Sequence, residues 1–229
     1  MARRRSVLGC REGGIESRTL GVHDVGVSYS NGLMDDDIAR VLISHAQIEQ
    51  RVRELAQQIA ADHRGVMSDG EGITIIAVLT GAMIFCSDLM RQLPMRMKIG
   101  LLGVSSYAGA SVRAQGASVL SKRTGDLRGR HVLVIDDILD SGNTIRLVKG
   151  MLMGHEPASV KVCVLLRKQT EGARQTAVEY VGFDIPDEFV VGYGLDYDDY
   201  YRNLRDIVTL KRHVIEGSGL GVQGSAHDE

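Results

Sequence analysis

Tryptophan is absent from the 229 residues, and all aromatics together make only 4% of the chain. That scarcity argues against the stacked aromatic platforms of single-stranded nucleic-acid binders. Cysteine is limited to three residues, too few for a disulfide framework. Cys10, Cys86 and Cys163 lie far apart, without the paired spacing of a metal site. Cys86 and Cys163 sit in apolar runs, where a small buried thiol is the simpler role and a reducing cytoplasm fits. No apolar run approaches the roughly 18–20 residues that span a bilayer. Neither sign of charge dominates: 27 Lys and Arg face 29 Asp and Glu, for a formal net charge of −2. No global positive field therefore gathers nucleic acid or anionic lipid. Proline occurs three times and glycine 27 times, so the turns are expected to be built on glycine.

What is present is a globular composition, 44% hydrophobic and 24% charged, enough for one sizeable core and inconsistent with a disordered chain. The basic start resembles a signal peptide only at first sight. Arg11, Glu12, Glu16 and Arg18 interrupt the apolar stretch such a signal needs. Residues 1–33 read as a flexible extension, with Met34 an alternative start. Residues 34–215 read as one domain, and residues 216–229, rich in Gly and Ser, as a flexible tail.

Ile48, Val52, Leu55 and Ile59 recur in steps of four, three and four, which predicts an amphipathic helix over residues 45–63. The run 73–79 is apolar and rich in β-branched residues, the pattern of a strand buried on both faces. Thr80-Gly81 breaks it, and 82–93 reads as helical. Further strands are expected at 98–105, 131–135 and 160–166, with a short apolar piece at 189–191 ended by Gly192. Residues 106–118 are small and polar and read as a long loop, the kind that often serves as a lid. A helix after Thr144 would carry Ile145, Val148 and Leu152 on one side. Strands alternating with helices predict an α/β fold with a mostly parallel central sheet.

The chemistry concentrates after the strand 131–135. Asp136, Asp137, Asp140, Ser141, Gly142, Asn143 and Thr144 follow it within nine residues. In an open α/β sheet, ligands gather beyond the carboxyl ends of the strands. Helix N-terminal amides, the closeness that Gly142 permits and the hydroxyls of Ser141 and Thr144 together make a phosphate cradle. Carboxylates beside a phosphate repel it unless they serve ribose hydroxyls or a metal such as Mg²⁺. The segment therefore points to a sugar phosphate with vicinal hydroxyls, plus a metal. Helix capping would account for any one of these residues, but not for all of them together. A Walker A pattern is absent, and Gly219-Leu-Gly221-Val-Gln-Gly224 has neither a strand before it nor a helix after it.

Val132-Leu-Val-Ile-Asp-Asp-Ile-Leu-Asp-Ser-Gly-Asn-Thr144 resembles the phosphoribosyl-pyrophosphate (PRPP) motif of the type I phosphoribosyltransferases. Phe183-Asp-Ile-Pro-Asp-Glu-Phe-Val-Val-Gly-Tyr-Gly-Leu-Asp-Tyr197 is similar to the purine and metal segment of the hypoxanthine (-guanine) phosphoribosyltransferases. The resemblance runs from about Asp36 to about Leu210. It implies a type I phosphoribosyltransferase fold with a small hood. It also implies the reaction of a 6-oxopurine with PRPP to give a purine nucleoside monophosphate and pyrophosphate, with Mg²⁺ as cofactor. Asp140 then matches the general acid–base residue at purine N7. Asp136 and Asp137 match the ribose-hydroxyl acids, and Ser141, Gly142, Asn143 and Thr144 the 5′-phosphate loop. Thr80 and Gly81 match the pyrophosphate loop, joined by Arg202. Lys168, Phe189 and Val190 match the purine contacts, Asp196 a Mg²⁺ ligand, and Ser106 and Tyr107 the start of a lid.

One position departs from the family, which often carries Lys, Arg or Asn where this chain has Thr80. The family also implies a homodimer or homotetramer. Hypoxanthine is the expected base, with guanine second. A transferase for another base such as xanthine, and a non-catalytic RNA-binding regulator of the same fold, are the alternatives. The charge balance and the retention of Asp140, Lys168 and Arg202 argue against the regulator.

Overall fold

A computed structural model describes residues 32–65, 72–106 and 117–217. Most of the expected extension and tail, Cys10 and the lid residue Tyr107 lie outside the described residues.

Ile73–Leu79 forms β2, with Ile73 to Val78 all buried. It pairs in parallel with β3 (Met97–Ser106) and with β5 (His131–Leu139). Strand β5 pairs in parallel with β6 (Ser159–Lys168), and β6 with β7 (Tyr180–Ile185). Strand β4 (Ala117–Arg123) closes the other edge antiparallel to β3, giving the order β4-β3-β2-β5-β6-β7. The sheet is thus parallel except at one edge. A separate two-stranded antiparallel sheet joins β1 (Ile38–Ile43) to β8 (Ile207–Leu210). This is the expected hood, made from both ends of the domain.

Alternation along the buried strands divides the core between two faces. Ile75, Leu133 and Ile135 pack with Ile48, Leu55 and Ile59 of α1 (His45–Asp62) and with Phe85 and Leu89 of α2 (Met83–Gln92). Ile76, Val78, Val132 and Val134 pack with Ile145, Val148 and Leu152 of α3 (Asn143–Met153). A capping box starts α1: the Ser44 hydroxyl accepts from the Gln47 amide, and the Gln47 side chain accepts from the Ser44 amide. Two short helices, α4 (Glu171–Arg174) and α5 (Arg212–Gly217), complete the described elements after a 3₁₀ helix at Gly32–Asp37. No described helix is long and apolar enough to cross a membrane.

Three local expectations need correction. The strand expected at 131–135 continues to Leu139, because β6 offers pairing partners through Arg167. Asp136 and Asp137 therefore belong to the strand itself rather than following it. The apolar piece at 189–191 is no strand; Val191 makes a single bridge to Val208 before Gly192 and Tyr193 turn the chain at positive φ. The end of the expected long loop is β4, an edge strand.

Candidate active site

The carboxyl ends of β2, β5 and β6 open on one side of the sheet, and the chain leaving each delivers a different group. After β2 comes the Thr80-Gly81 turn, entered through a cis peptide bond between Leu79 and Thr80. The end of β5 carries Asp136 and Asp137, then Asp140 and the loop into α3. Lys168 is the last residue of β6. Across from them stands the segment from Phe189 to Arg202. Together these enclose a cleft of about 660 Å³, lined by Thr80, Gly81, Asp136, Asp137, Asp140, Thr144, Lys168, Phe189, Val190, Asp196 and Arg202. Eleven of the residues singled out in the sequence thus meet at one place. On the lid side the lining is Gly103 and Val104. Ser106 ends β3, three residues beyond Gly103.

Burial shapes the acids. Asp136 is only 3% exposed, and its own backbone neighbour, the Asp137 amide, donates to its Oδ1 at 3.1 Å. Burial pushes the Asp136 carboxyl well above the usual range, and the adjoining Asp137 charge pushes it further. Burial also raises Asp137, offset in part by its hydrogen bond with Asp136 and by the Arg202 guanidinium. Burial makes charge costly for the pair, which suits groups that await hydrogen-bond donors or a cation.

Lys168 Nζ lies 3.1 Å from Asp140 Oδ2 and 3.0 Å from Asp187 Oδ1. Burial alone would lower its pKa; the bonds to Asp187 and Asp140 outweigh that, and the net shift is upward. Phe189 meets Tyr197 edge to face, with ring centroids 5.5 Å apart, and is 38% exposed. Beside it, Glu188 pairs with Arg40 of β1 at 2.5 Å, tying this segment to the hood. Arg202 reaches Asp196 at 2.8 Å and Asp199 at 2.7 Å, and donates to the Gly194 carbonyl at 2.9 Å.

The loop 141–144 has the features of an anion cradle. Gly142 stands at φ +75° as the N-cap of α3, and no side chain caps the helix there. Sequence reasoning missed what holds this loop. Arg146 donates to the Ser141 carbonyl, to Asn143 Oδ1 and to Thr176 Oγ1, each at 2.8 Å. Thr170 Oγ1 donates to the Asp140 carbonyl at 2.7 Å. Asp187 was missed too. No local pattern signals the contacts to Thr176, Thr170 and Asp187, because each joins segments 19 to 30 residues apart.

Close packing links the two sides. A Cβ on Gly81 would lie 1.6 Å from Asp137 Oδ2, and one on Gly194 would lie 2.2 Å from the Gly81 carbonyl oxygen. Glycine at both positions lets acid, turn and opposite segment stack.

Among the described residues, no group of three or more His, Cys, Asp or Glu is placed to hold a metal alone. Asp196 and the Asp136–Asp137 pair instead present carboxylate oxygens to one cleft. That donor set fits Mg²⁺, which is commonly held by one or two carboxylates together with substrate phosphates. Buried Cys86 and Cys163 carry no nucleophilic role. Burial raises the Cys86 thiol to about 11 and Cys163 further still.

Residues 42–198 match the family model of the phosphoribosyl transferase domain. The chain is 40% identical over 185 residues to the hypoxanthine-guanine phosphoribosyltransferase of Mycobacterium tuberculosis, covering 80% of this chain and 92% of that protein. It is 37% identical to the hypoxanthine phosphoribosyltransferase of Escherichia coli, covering 72% of this chain and 90% of that protein. Among solved structures, a hypoxanthine phosphoribosyltransferase from Trypanosoma cruzi matches with a TM-score of 0.73 at 33% identity, over 81% of this chain and 98% of that one. A hypoxanthine-guanine phosphoribosyltransferase from Bacillus anthracis, with a HEPES molecule in its active site, matches with a TM-score of 0.69 at 38% identity, over 76% and 100%.

Proposed function

The chain belongs to the phosphoribosyltransferase family, in its hypoxanthine (-guanine) branch, and from that premise we propose how its own residues divide the work of purine salvage. It is a transferase; the reaction joins a 6-oxopurine to the ribose 5-phosphate of PRPP and releases pyrophosphate. The observation that carries the assignment is the Asp140–Lys168 pair at 3.1 Å. A 6-oxopurine presents its 6-oxo group and N7 side by side. Lys168 donates to the oxo group, and Asp140 takes or returns the proton at N7 as N9 bonds to the sugar. Adenine would turn an amino group toward the ammonium, donor against donor, and leave a charged group unpaired. Phe189 stacks on the base, and the backbone at Val190 contacts its edge.

Asp136 and Asp137 accept hydrogen bonds from the ribose hydroxyls. Ser141, Gly142, Asn143 and Thr144 receive the 5′-phosphate. Thr80, Gly81 and Arg202 hold pyrophosphate; at Thr80 the contact runs through the backbone. Asp196 would hold Mg²⁺, and the ion would supply positive charge against the departing pyrophosphate. The transition state of glycosyl transfer carries oxocarbenium character, which nearby carboxylates favour. The protein assembles as a homodimer or homotetramer. Exposed apolar side chains at Met83, Ile99 and Leu101 support that, and light scattering reads it directly.

The test is a base panel. With Mg²⁺ and PRPP, the protein is given hypoxanthine, guanine, xanthine and adenine separately. Turnover with hypoxanthine that stops without Mg²⁺ is expected. No turnover with any base would sink the reading.

A further inference from the structure

We propose that Tyr193 and Asp88 form a positioning pair for the pyrophosphate side of the site, an inference that rests on the function proposed above. The Tyr193 phenol donates to Asp88 Oδ2 at 2.7 Å. Neither residue lines the active-site cleft. They connect its two pyrophosphate-side segments from behind.

Tyr193 sits in a run of three residues at positive φ: Gly192 at 99°, Tyr193 at 51° and Gly194 at 106°. A left-handed backbone at a bulky residue persists only where the surroundings over-determine it. Here they do. The Tyr193 amide donates to the Leu204 carbonyl at 2.8 Å, the Gly194 amide to the Arg202 carbonyl at 3.0 Å, and the ring is 3% exposed in the core shared with Phe85 and Leu89. The phenol is a polar side-chain tether that runs from this turn to α2.

That tether matters because of what each end carries. Asp88 belongs to α2, whose N-cap Ala82 directly follows Gly81. Tyr193 precedes Gly194, whose carbonyl accepts from Arg202 and whose α-carbon passes against the Gly81 carbonyl. Two residues further on is Asp196, paired with Arg202. The bond therefore fixes the separation of the Thr80-Gly81 turn from the Gly194–Arg202 segment. Those segments handle pyrophosphate. The purine contacts at Lys168 and Phe189 stand on other supports.

Removing the hydroxyl should leave the fold intact. Phenylalanine fills the same core volume, and Asp88 keeps Arg91 at 3.6 Å and a cavity of about 260 Å³ beside it. The experiment compares wild type, Tyr193→Phe and Asp88→Asn by PRPP calorimetry in Mg²⁺ and by steady-state kinetics. Tyr193→Phe is expected to weaken PRPP binding and raise its KM about tenfold, the size of one lost hydrogen bond. The hypoxanthine KM should stay within about twofold, since its contacts are untouched. Asp88→Asn keeps a carbonyl acceptor for the phenol, so its PRPP affinity should fall back toward wild type. Unchanged PRPP affinity in Tyr193→Phe would overturn the inference. So would a parallel loss for both substrates, or an Asp88→Asn variant as impaired as Tyr193→Phe. Wild-type protein that binds no PRPP would instead overturn the underlying function.

Discussion

Asp140 and Lys168 lie on neighbouring strand ends, with Oδ2 and Nζ 3.1 Å apart. The contact follows from register: Leu139 of β5 pairs with Arg167 of β6, so the next residue of each chain meets the other. One acceptor and one donor thus stand at the spacing of two adjacent polar atoms on a purine edge. If Asp140 moves the N7 proton, Asp140→Asn should lower kcat by roughly 10²–10⁴-fold while PRPP affinity changes little. The amide keeps the shape and can still meet Lys168, but it cannot take a proton. Single-turnover kinetics beside PRPP calorimetry separate the two effects. Near-normal turnover would remove Asp140 from the acid–base role.

Lys168 is held charged by Asp187 and Asp140, so it acts only as a donor. Lys168→Ala should weaken hypoxanthine by about 10–100-fold, the worth of a hydrogen bond to a charged group. Adenine should lose nothing, so the ratio of kcat/KM for the two bases narrows. The same panel run on wild type and variant measures it; an unchanged ratio would place base selection elsewhere.

The contrast between what the sequence disclosed and what it hid follows contact range. Strand β2 was legible to the residue because a continuous β-branched run buried on both faces has few other readings. Edge strands were not. β4, Ala-Ser-Val-Leu-Ser-Lys-Arg, has only two large apolar residues and no clean alternation, and β7 is interrupted by Gly182, where a Cβ would lie 2.3 Å from the Leu165 carbonyl oxygen. The acids and loop of 136–144 were visible because one stretch of chain carries them. Lys168, Phe189, Asp196 and Arg202 came only through family resemblance, since nothing local marks them. Arg146, Thr170, Thr176 and Asp187 stayed hidden because their partners are brought to them by the folded sheet.

Two glycines, one at the N-cap of α3 and one inside it, offer a matched comparison. Gly142 stands at φ +75°, and an added Cβ would lie 2.0 Å from Thr176 Oγ1. Gly150 is inside the helix, with nothing within 4 Å of its added Cβ. Gly150→Ala should stabilise the protein by about 0.5–1 kcal/mol, because alanine loses less backbone entropy in a helix. Gly142→Ala should lower the Tm and weaken PRPP by displacing the Arg146–Thr176 brace from the loop. Thermal melts with and without PRPP distinguish them. Equal behaviour of the two variants would show that the loop conformation is not what glycine secures.

Asp136 sets stability against function. Its folded carboxyl holds a proton to higher pH than the same group in the unfolded chain, through burial first and the Asp137 charge second. Between the ordinary carboxylate range and that raised value, the folded state binds more protons than the unfolded state. Stability from this group therefore falls as pH rises through that window and is level below about pH 4, where both states are protonated. Asp136→Asn cannot ionise and escapes the decline. Its Tm should exceed wild type at pH 7 to 8, and the difference should shrink toward zero near pH 4, on the order of the unfolded carboxylate pKa. The gain in Tm on adding PRPP should be smaller in the variant, because the amide is the weaker acceptor for ribose hydroxyls. A variant destabilised at every pH, or one whose advantage grows in acid, would show that Asp136 is ionised at no cost in the free protein.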